Sequence, residues 1–413
     1  VHLEEAYVER SIASIDVGTT KVCTLVGEVN ELGVFRIVGV GISASRGLRK
    51  GVVVNAGEAA DAIVASVEGA ERISGYQVTR ANVGIAGTHI TSRNSRGVVG
   101  IQRGDQGISD EDVARALDAS QAVSIPEHHE VLHVVPRGYS IDGQEGVSDP
   151  RGMYGARLEV EAHLVTGSTP SIQNLVKCIN SLNIELDELI VAPLASGEAV
   201  LTDTERDMGV AVADIGGGTT DIAIFIEGSV WHTAVLPVGG NHLTNDVAIC
   251  LRTPFDEAEE LKKKWGHAYP DGVPADRELD IAAFGEEPHQ KVLQRLLAEV
   301  LHARVEEISN MILQEIKRSG YDGLLPAGVV LCGGTAELPG ICEVVRSVVG
   351  LPVRVGSPQD LQGLVDQLTH PAYATSVGLL MWEKNHKSTV RPRPARASMG
   401  DRVAKWFRNL LPD

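Results

Sequence analysis

No two of the five cysteines form a C-x-x-C pair or any spacing that suits a metal: Cys23, Cys178, Cys250, Cys332 and Cys342 stand singly in apolar runs. This excludes a disulfide framework and a zinc ribbon, and reads as small core residues of a reducing cytosol. Long apolar runs are absent too, so no membrane span is expected, and the opening V-H-L-E-E-A-Y-V-E-R lacks the apolar core of a signal peptide. Basic charge is short. The chain carries a formal -18, which makes its body repel nucleic acid and anionic membrane. The exception is the C-terminal stretch from Lys384, with eight Lys or Arg against two Asp, a net of +6 that leaves -24 for the rest.

What is present starts with length. A chain of 413 residues suggests two large lobes rather than one core, and its 44 glycines suit an architecture of tight turns. At residues 210–226, V-A-V-A-D-I-G-G-G-T-T-D-I-A-I-F-I places two β-branched runs around Gly216, Gly217, Gly218, Thr219 and Thr220. This is a strand hairpin whose glycines admit a close approach and turn backbone N–H groups toward a phosphate. Asp214 ends the first strand, where it can hold a hydrated Mg²⁺. An ordinary glycine-rich turn is the other reading of these residues taken alone. About two hundred residues earlier, S-I-A-S-I-D-V-G-T-T-K-V-C-T-L-V repeats the pattern with Asp16, Gly18, Thr19 and Thr20. Each hairpin is followed by a third apolar run, 35–41 and 231–240, and then a helix. A unit of three strands and a helix used twice is a duplicated α/β domain, with two aspartate-tipped turns facing one polyphosphate and its metal across a cleft.

A third element, V-V-L-C-G-G-T-A-E-L-P-G at 329–340, is a buried strand running into a Gly-Gly turn and a helix. In order and spacing the three motifs resemble the superfamily of actin, DnaK-type chaperones and sugar kinases. The resemblance covers residue 11 to about 382, and it implies two phosphate loops followed by an adenosine loop at Gly333, Gly334 and Thr335. It also implies ATP with Mg²⁺ held through water by Asp16 and Asp214, and it makes Lys21 a phosphate contact. Gly239, Gly240 and Asn241 open the helix after the second hairpin. Glu259 and Lys262, one turn apart, are similar to the superfamily's ribose and adenine clamp, or else form a surface ion pair. The resemblance further implies a helix at this place that crosses between lobes and supplies a polar residue to orient the attacking water, with Glu198 as the candidate, or else Glu198 is a capping or solvated carboxylate.

Residues 87–162 change tone, with their own strands, a helix from Asp110 capped by Ser109 and Asp112, and a polar D-P-R-G-M-Y-G run. An inserted α+β subdomain is expected, with an elaborate loop as the other reading. An insertion at this point, with Asp149, Pro150, Gly152, Met153 and Gly155 before the returning strand, resembles the FtsA family of actin-related bacterial division proteins. That family implies that the insertion touches the next protomer in a filament and other division proteins. The expected fold is thus a duplicated actin-like ATPase of two lobes: lobe one at 10–86 and 163–200, lobe two inner at 201–242 and 305–370, lobe two outer at 243–304, and an interdomain helix at 371–383. A stripe of Val292, Leu296, Val300, Ile308, Ile312 and Ile316 predicts one long helix over 292–316.

Residues 384–399 read as a proline-rich basic linker. In 400–413, Val403, Trp406, Phe407, Leu410 and Leu411 share one helical face, with Arg402, Lys405 and Arg408 on the flank, a pattern that suits an anionic lipid interface. A terminal helix docked on the body is the alternative. FtsA proteins carry such a tail, and the resemblance implies a peripheral protein at the cytoplasmic face of the bacterial inner membrane. Its partners there are FtsZ, copies of itself and later division proteins, with no nucleic acid. The chain is then a nucleotide-dependent scaffold with at most weak ATPase activity. A PilM-like pilus-assembly protein is the alternative, because it shares the nucleotide motifs and an insert but not the tail. A small-molecule kinase of this fold needs a general-base aspartate for a substrate hydroxyl, and the sequence offers no convincing one.

Overall fold

The computed structural model describes residues 10–29, 35–102, 106–282, 284 and 289–386. The linker beyond residue 386 and the tail residues Arg402, Val403, Lys405, Trp406, Phe407, Arg408, Leu410 and Leu411 lie outside the described residues.

Lobe one begins with β1 (Arg10–Val17), β2 (Lys21–Val29) and β3 (Phe35–Ala44), consecutive antiparallel strands rich in Val and Ile. A short hairpin follows, β4 (Leu48–Arg49) and β5 (Val52–Val53), and then α1 (Ala56–Ser74). Helix α1 starts where the Asn55 side chain accepts from the Gly57 and Glu58 amides, and it stops at Gly75, which takes the left-handed conformation a side chain resists. Its Ala59, Ile63, Val67 and Ala70 are buried on the sheet. Strand β6 (Arg80–Ile85) then lies parallel to β1.

The insert comprises β7 (Ile90–Gly100), α2 (Asp110–Ser120), β8 (His129–Ile141), β9 (Gln144–Val147) and β10 (Arg157–Ser168). Its sheet order is β7-β10-β8-β9, and the expected Ser109–Asp112 capping box opens α2. A separate core of Ile108, Val113, Ala116, Tyr139, Ile141, Leu158 and Val160 lies beneath that helix. The boundary expected at residue 162 falls inside β10. Residues 163–167 pair with β7 and β8, not with lobe one, because the strand continues unbroken to Ser168 opposite His129.

Helix α3 (Thr169–Asn180) and strand β11 (Glu185–Val191) complete lobe one as a five-stranded sheet, β11-β6-β1-β2-β3. Helix α4 (Ala192–Val200) crosses to lobe two, followed by α5 (Asp203–Met208). The second set of strands is β12 (Val210–Ile215), β13 (Thr220–Ile226) and β14 (Ser229–Leu236). Next come α6 (Gly240–Leu251), α7 (Phe255–Trp265) and the hairpin β15 (Glu278–Ala282) with β16 (His289–Leu293). Then follow α8 (Gln294–Ser319), β17 (Val329–Cys332), α9 (Ile341–Val349), β18 (Val353–Val355) and α10 (Ala374–His386). The second sheet, β14-β13-β12-β17-β18, repeats the first in its three antiparallel strands and parallel neighbour.

Period-two alternation splits β12 between two cores. Val210 and Val212 join the core that holds lobe one, α4 and α10, while Ala211, Ala213 and Ile215 join a core with α6, α8 and α9. Between the sheets α4 and α10 cross at backbone contact. A Cβ on Gly378 would lie 1.7 Å from the Ala195 carbonyl oxygen, so only glycine fits. Small residues on both helices thus permit this close packing.

Several expectations shift. Helix α8 starts at Gln294, so Val292 belongs to a strand, and the domain limit expected at 304 lies within one continuous helix. Its buried stripe runs through Leu297, Leu301 and Val305 before Ile308, Ile312 and Ile316, while Leu296 is exposed. Helical spacing was legible, but its phase over the first turns was off by one, since two adjacent leucines fit either face. Cys250 is exposed at the end of α6 and Cys342 is half-buried, so the core reading holds for Cys23, Cys178 and Cys332.

Candidate nucleotide cleft

Two turns meet tip to tip between the lobes. Gly18 N–H donates to the Lys21 carbonyl at 3.0 Å, and Gly216 N–H donates to that of Thr219 at 3.0 Å, so each hairpin closes over four residues. A Cβ on Gly217 would lie 2.3 Å from Thr20 Cγ2, and one on Gly218 would lie 2.8 Å from Thr19 Oγ1. The glycines of the second turn thus exist to admit the threonines of the first.

Beneath these turns lies a cavity of about 540 Å³, a volume that suits a small-molecule ligand. Of the residues read from sequence, Asp16, Gly18, Thr19, Thr20, Lys21, Asp214, Gly216, Gly217, Thr219, Gly240, Asn241, Glu259, Lys262, Gly334 and Thr335 line it. Gly218, Thr220, Gly239 and Gly333 stand just behind. Thr220 is fully buried and donates to the Val238 carbonyl at 2.9 Å. Gly333, at φ 81°, leaves room for Asp214, whose Oδ1 would be 2.4 Å from a Cβ there. Glu198 is placed elsewhere. It is not in the cavity wall but forms a 2.9 Å ion pair with Arg206, with 7% of its side chain exposed. Helix α4 turns Ala192 to the cleft and Ser196 to Asp214, which puts Glu198 on the side facing α5.

The carboxylates are held from behind. Asp214 Oδ2 accepts from Ser196 and, at 2.8 Å, from Thr375. Asp16 Oδ2 accepts from Ser376 at 2.7 Å. Burial raises the Asp16 pKa, a shift that the nearby Lys21 charge and the Ser376 hydrogen bond oppose. Lys21 itself donates to the Ala372 carbonyl and lies 4.7 Å from the Tyr373 ring centroid.

Sequence reading missed Asp221. It faces Asp214 directly across the hairpin and is 4% exposed. Its Oδ2 accepts from Thr219 at 2.8 Å, whereas its Oδ1 is buried with no partner. Burial, then the charge of Asp214, pushes its pKa up to about 7. Counting residues across the turn would have found it, because antiparallel register places Asp221 opposite Asp214 once the turn spans 216–219. Ser196, Thr375 and Ser376 were missed for another reason: they reach the site only through the crossing of α4 and α10.

At the far end, the Glu259–Lys262 pair closes at 2.6 Å with 26% and 13% of the side chains exposed, so it belongs to the cleft and not to an open surface. Lys262 also donates to the Gly240 carbonyl at 3.2 Å and Thr244 Oγ1 at 2.8 Å, while Thr244 donates to Glu259. Burial lowers the Lys262 pKa against the pull of Glu259. For Glu259, burial acts upward, but the Lys262 and Thr244 hydrogen bonds win and hold it below its ordinary value. Lys263 and Glu337 also line the wall.

The donor set fits a nucleoside polyphosphate with a cation. Backbone at Gly217 and Gly240 leaves no room for side chains: a Cβ on Gly240 would lie 2.5 Å from Thr335 Oγ1. Asp221, one of whose oxygens is buried without a partner, lines the same space, and lysines, threonine hydroxyls and two further aspartates converge there.

Known proteins bear on this arrangement. A family model described as "Cell division protein FtsA" matches residues 211–378, and one described as "SHS2 domain inserted in FTSA" matches 87–166. The chain is 44% identical over 373 residues to the cell division protein FtsA of Pseudomonas aeruginosa, covering 90% of this chain and 89% of the relative. It is 35% identical over 411 residues to that of Escherichia coli, covering 96% and 97%. Among solved structures, the PilM–PilN type IV pilus biogenesis complex superposes with a TM-score of 0.65 at 14% identity, over 90% of this chain and 97% of that one. MreB5 of Spiroplasma citri bound to ADP gives 0.56 at 14% identity, over 92% and 99%. These structural likenesses establish the actin-like fold, PilM being a neighbour in fold only, and the sequence relatives establish the rest: this chain belongs to the FtsA family of cell division proteins.

Proposed function

We propose that this chain binds Mg·ATP in the interlobe cleft and assembles into filaments at the cytoplasmic face of the bacterial inner membrane. There it tethers FtsZ at the septum and helps to recruit later division proteins. The observation that carries the nucleotide half is the pair of interlocked turns, each tipped by a carboxylate, above a cavity of about 540 Å³. Structures of MreB5 with ADP and with AMPPNP, which share this fold, support a nucleotide as its occupant. Magnesium would neutralise phosphate charge between Asp16 and Asp214. The chain supplies the turn amides and Lys21 along the phosphates, and Glu259 with Lys262 at the nucleoside end. Asp221, which lines the cleft beside Asp214 and whose pKa burial pushes up to about 7, is the carboxylate we assign as proton acceptor for an attacking water. The reading is of a nucleotide-gated scaffold with at most weak turnover.

The membrane half rests on the tail at 400–413. Burying Trp406, Phe407, Leu410 and Leu411 gains about 25 cal/mol per Å². Each Lys or Arg adds on the order of 1 kcal/mol at an anionic leaflet. One short helix must also offset its own ordering and the body's negative charge, so a monomer binds weakly and a filament, joining many tails, binds tightly. Co-sedimentation of the full chain with anionic vesicles, with and without ATP, tests both halves. Binding should strengthen with ATP, and Trp406→Glu should abolish it while sparing nucleotide affinity. A Trp406→Glu protein that pellets like the parent overturns the anchor, and indifference to ATP overturns the gating. Among the described residues no helix is long and apolar enough to cross a membrane.

A further inference from the structure

Asp16 and Asp214 belong to different lobes, yet consecutive residues of one helix hold them. At the start of α10, Thr375 Oγ1 donates to Asp214 Oδ2 at 2.8 Å and Ser376 Oγ donates to Asp16 Oδ2 at 2.7 Å. Neighbouring positions on a helix point about 100° apart, so one turn can serve two directions. Each residue has a second tie beside its aspartate. Thr375 Oγ1 lies 3.0 Å from Ser196 Oγ of α4, which reaches the same Asp214 oxygen. The Ser376 carbonyl accepts from Ser14 Oγ of β1 at 3.2 Å, and Ser376 is fully buried. The helix has no slack, since Gly378 two residues on touches the α4 backbone.

We infer that Thr375 and Ser376 are positioning residues for the cation. They fix the rotamers and the separation of the two carboxylates that would face it, so the metal site is set by α10 and not by either hairpin alone. One oxygen of each aspartate is committed to the helix, which leaves the other for the cation and its water shell. The inference rests on the proposed Mg·ATP reading and adds residues that neither phosphate turn contains. Partners that orient metal ligands in this way typically matter 10–100-fold for metal affinity.

The test uses the full chain with Thr375→Val, which keeps the shape and removes the hydroxyl, Ser376→Ala, and Thr375→Ser as the rescue. Mn²⁺ affinity in the presence of ATP is read by electron paramagnetic resonance, and affinity for a fluorescent ATP analogue is read in Mg²⁺ and in EDTA. Thr375→Val and Ser376→Ala should each weaken Mn²⁺ about tenfold or more. Affinity in EDTA should stay within about twofold, and Thr375→Ser should restore the metal. Unchanged Mn²⁺ affinity in folded variants overturns the inference, and so does an equal loss with and without metal, which marks a merely structural contact. Should Ser376→Ala fail to fold, Thr375→Val decides alone. A parent protein that binds the analogue in neither condition would instead sink the nucleotide reading itself.

Discussion

The two phosphate turns look alike in sequence in a way that misleads. D-V-G-T-T-K and D-I-G-G-G-T-T-D invite a match of their Thr-Thr pairs. Register says otherwise: Asp16 pairs with Cys23 and Val17 with Val22, while Asp214 pairs with Asp221 and Ile215 with Thr220. The structural equivalents of Thr19 and Thr20 are therefore Gly217 and Gly218, the residues those threonines press against. Where the second hairpin has a carboxylate opposite its aspartate, the first has the buried thiol of Cys23, pushed up to about 12 by burial. Duplication supplied the frame, and divergence at opposed positions gave one turn the bulk and the other the second acid.

The third strands diverge as well. Both would be open sheet edges, which invite stray pairing. On β3, Ile37 N–H donates to the Gln362 carbonyl and Leu364 N–H donates to that of Ile37, so a segment following β18 covers it. On β14 the cover is the insert. Ser92 Oγ donates to the Thr233 carbonyl at 2.7 Å, and Arg137 stacks 4.0 Å over the Trp231 ring. His163 sits in that seam between Asn94 Oδ1 and Thr233 Oγ1.

The largest expected effect is at the second turn. Asp214→Ala should weaken Mg·ATP about 100-fold, or roughly 2.8 kcal/mol, far more than it lowers thermal stability, as titration calorimetry would show. Unchanged affinity in a folded variant would remove Asp214 from the site and leave the first turn to act alone. Asp221→Asn sharpens the contrast with Cys23. Relieving a buried, half-partnered carboxylate should raise the melting temperature of the metal-free protein, a gain of about 1–3 kcal/mol. ATP turnover should fall in parallel, and a lower melting temperature would show that the acid is structurally satisfied.

The seam gives a smaller, pH-dependent effect. Burial, followed by the charges of His232, Arg137 and His133, lowers the His163 pKa from 6.5 to about 3. Below pH 6.5 the unfolded chain binds a proton that the folded one refuses, so stability present above that pH is lost as it falls toward 3. Between about pH 7.5 and about pH 5 the loss is roughly 2 kcal/mol. His163→Gln should flatten this part of the melting profile, and an unaltered acid slope would place the sensitivity elsewhere. Smallest of all, Glu198→Gln should leave nucleotide affinity and turnover within about twofold while lowering stability, since Arg206 loses a charged partner. A selective collapse of turnover would return Glu198 to the reaction.

Much of the molecule is determined by the sequence alone. Strand hairpins and helices follow from period and punctuation, as with α1 between Asn55 and Gly75, and the duplication follows from two glycine turns at matching places in two strand triplets. Most cleft residues were legible because each glycine turn carries its own signal. Tertiary structure decided what depends on facing. Whether Leu296 or Leu297 is buried, where β10 ends, and that Glu198 turns away to Arg206 are all set by the neighbour an element packs against. Asp221 and the pair Thr375–Ser376 carry no local mark of function, being an acid in a strand and two hydroxyls on a small-residue helix. Asp221 reaches Asp214 through the register of its own hairpin, whereas helix crossing brings Thr375 and Ser376 to carboxylates 161 and 360 residues away in the chain, a proximity that belongs to the packed lobes and not to any stretch of sequence.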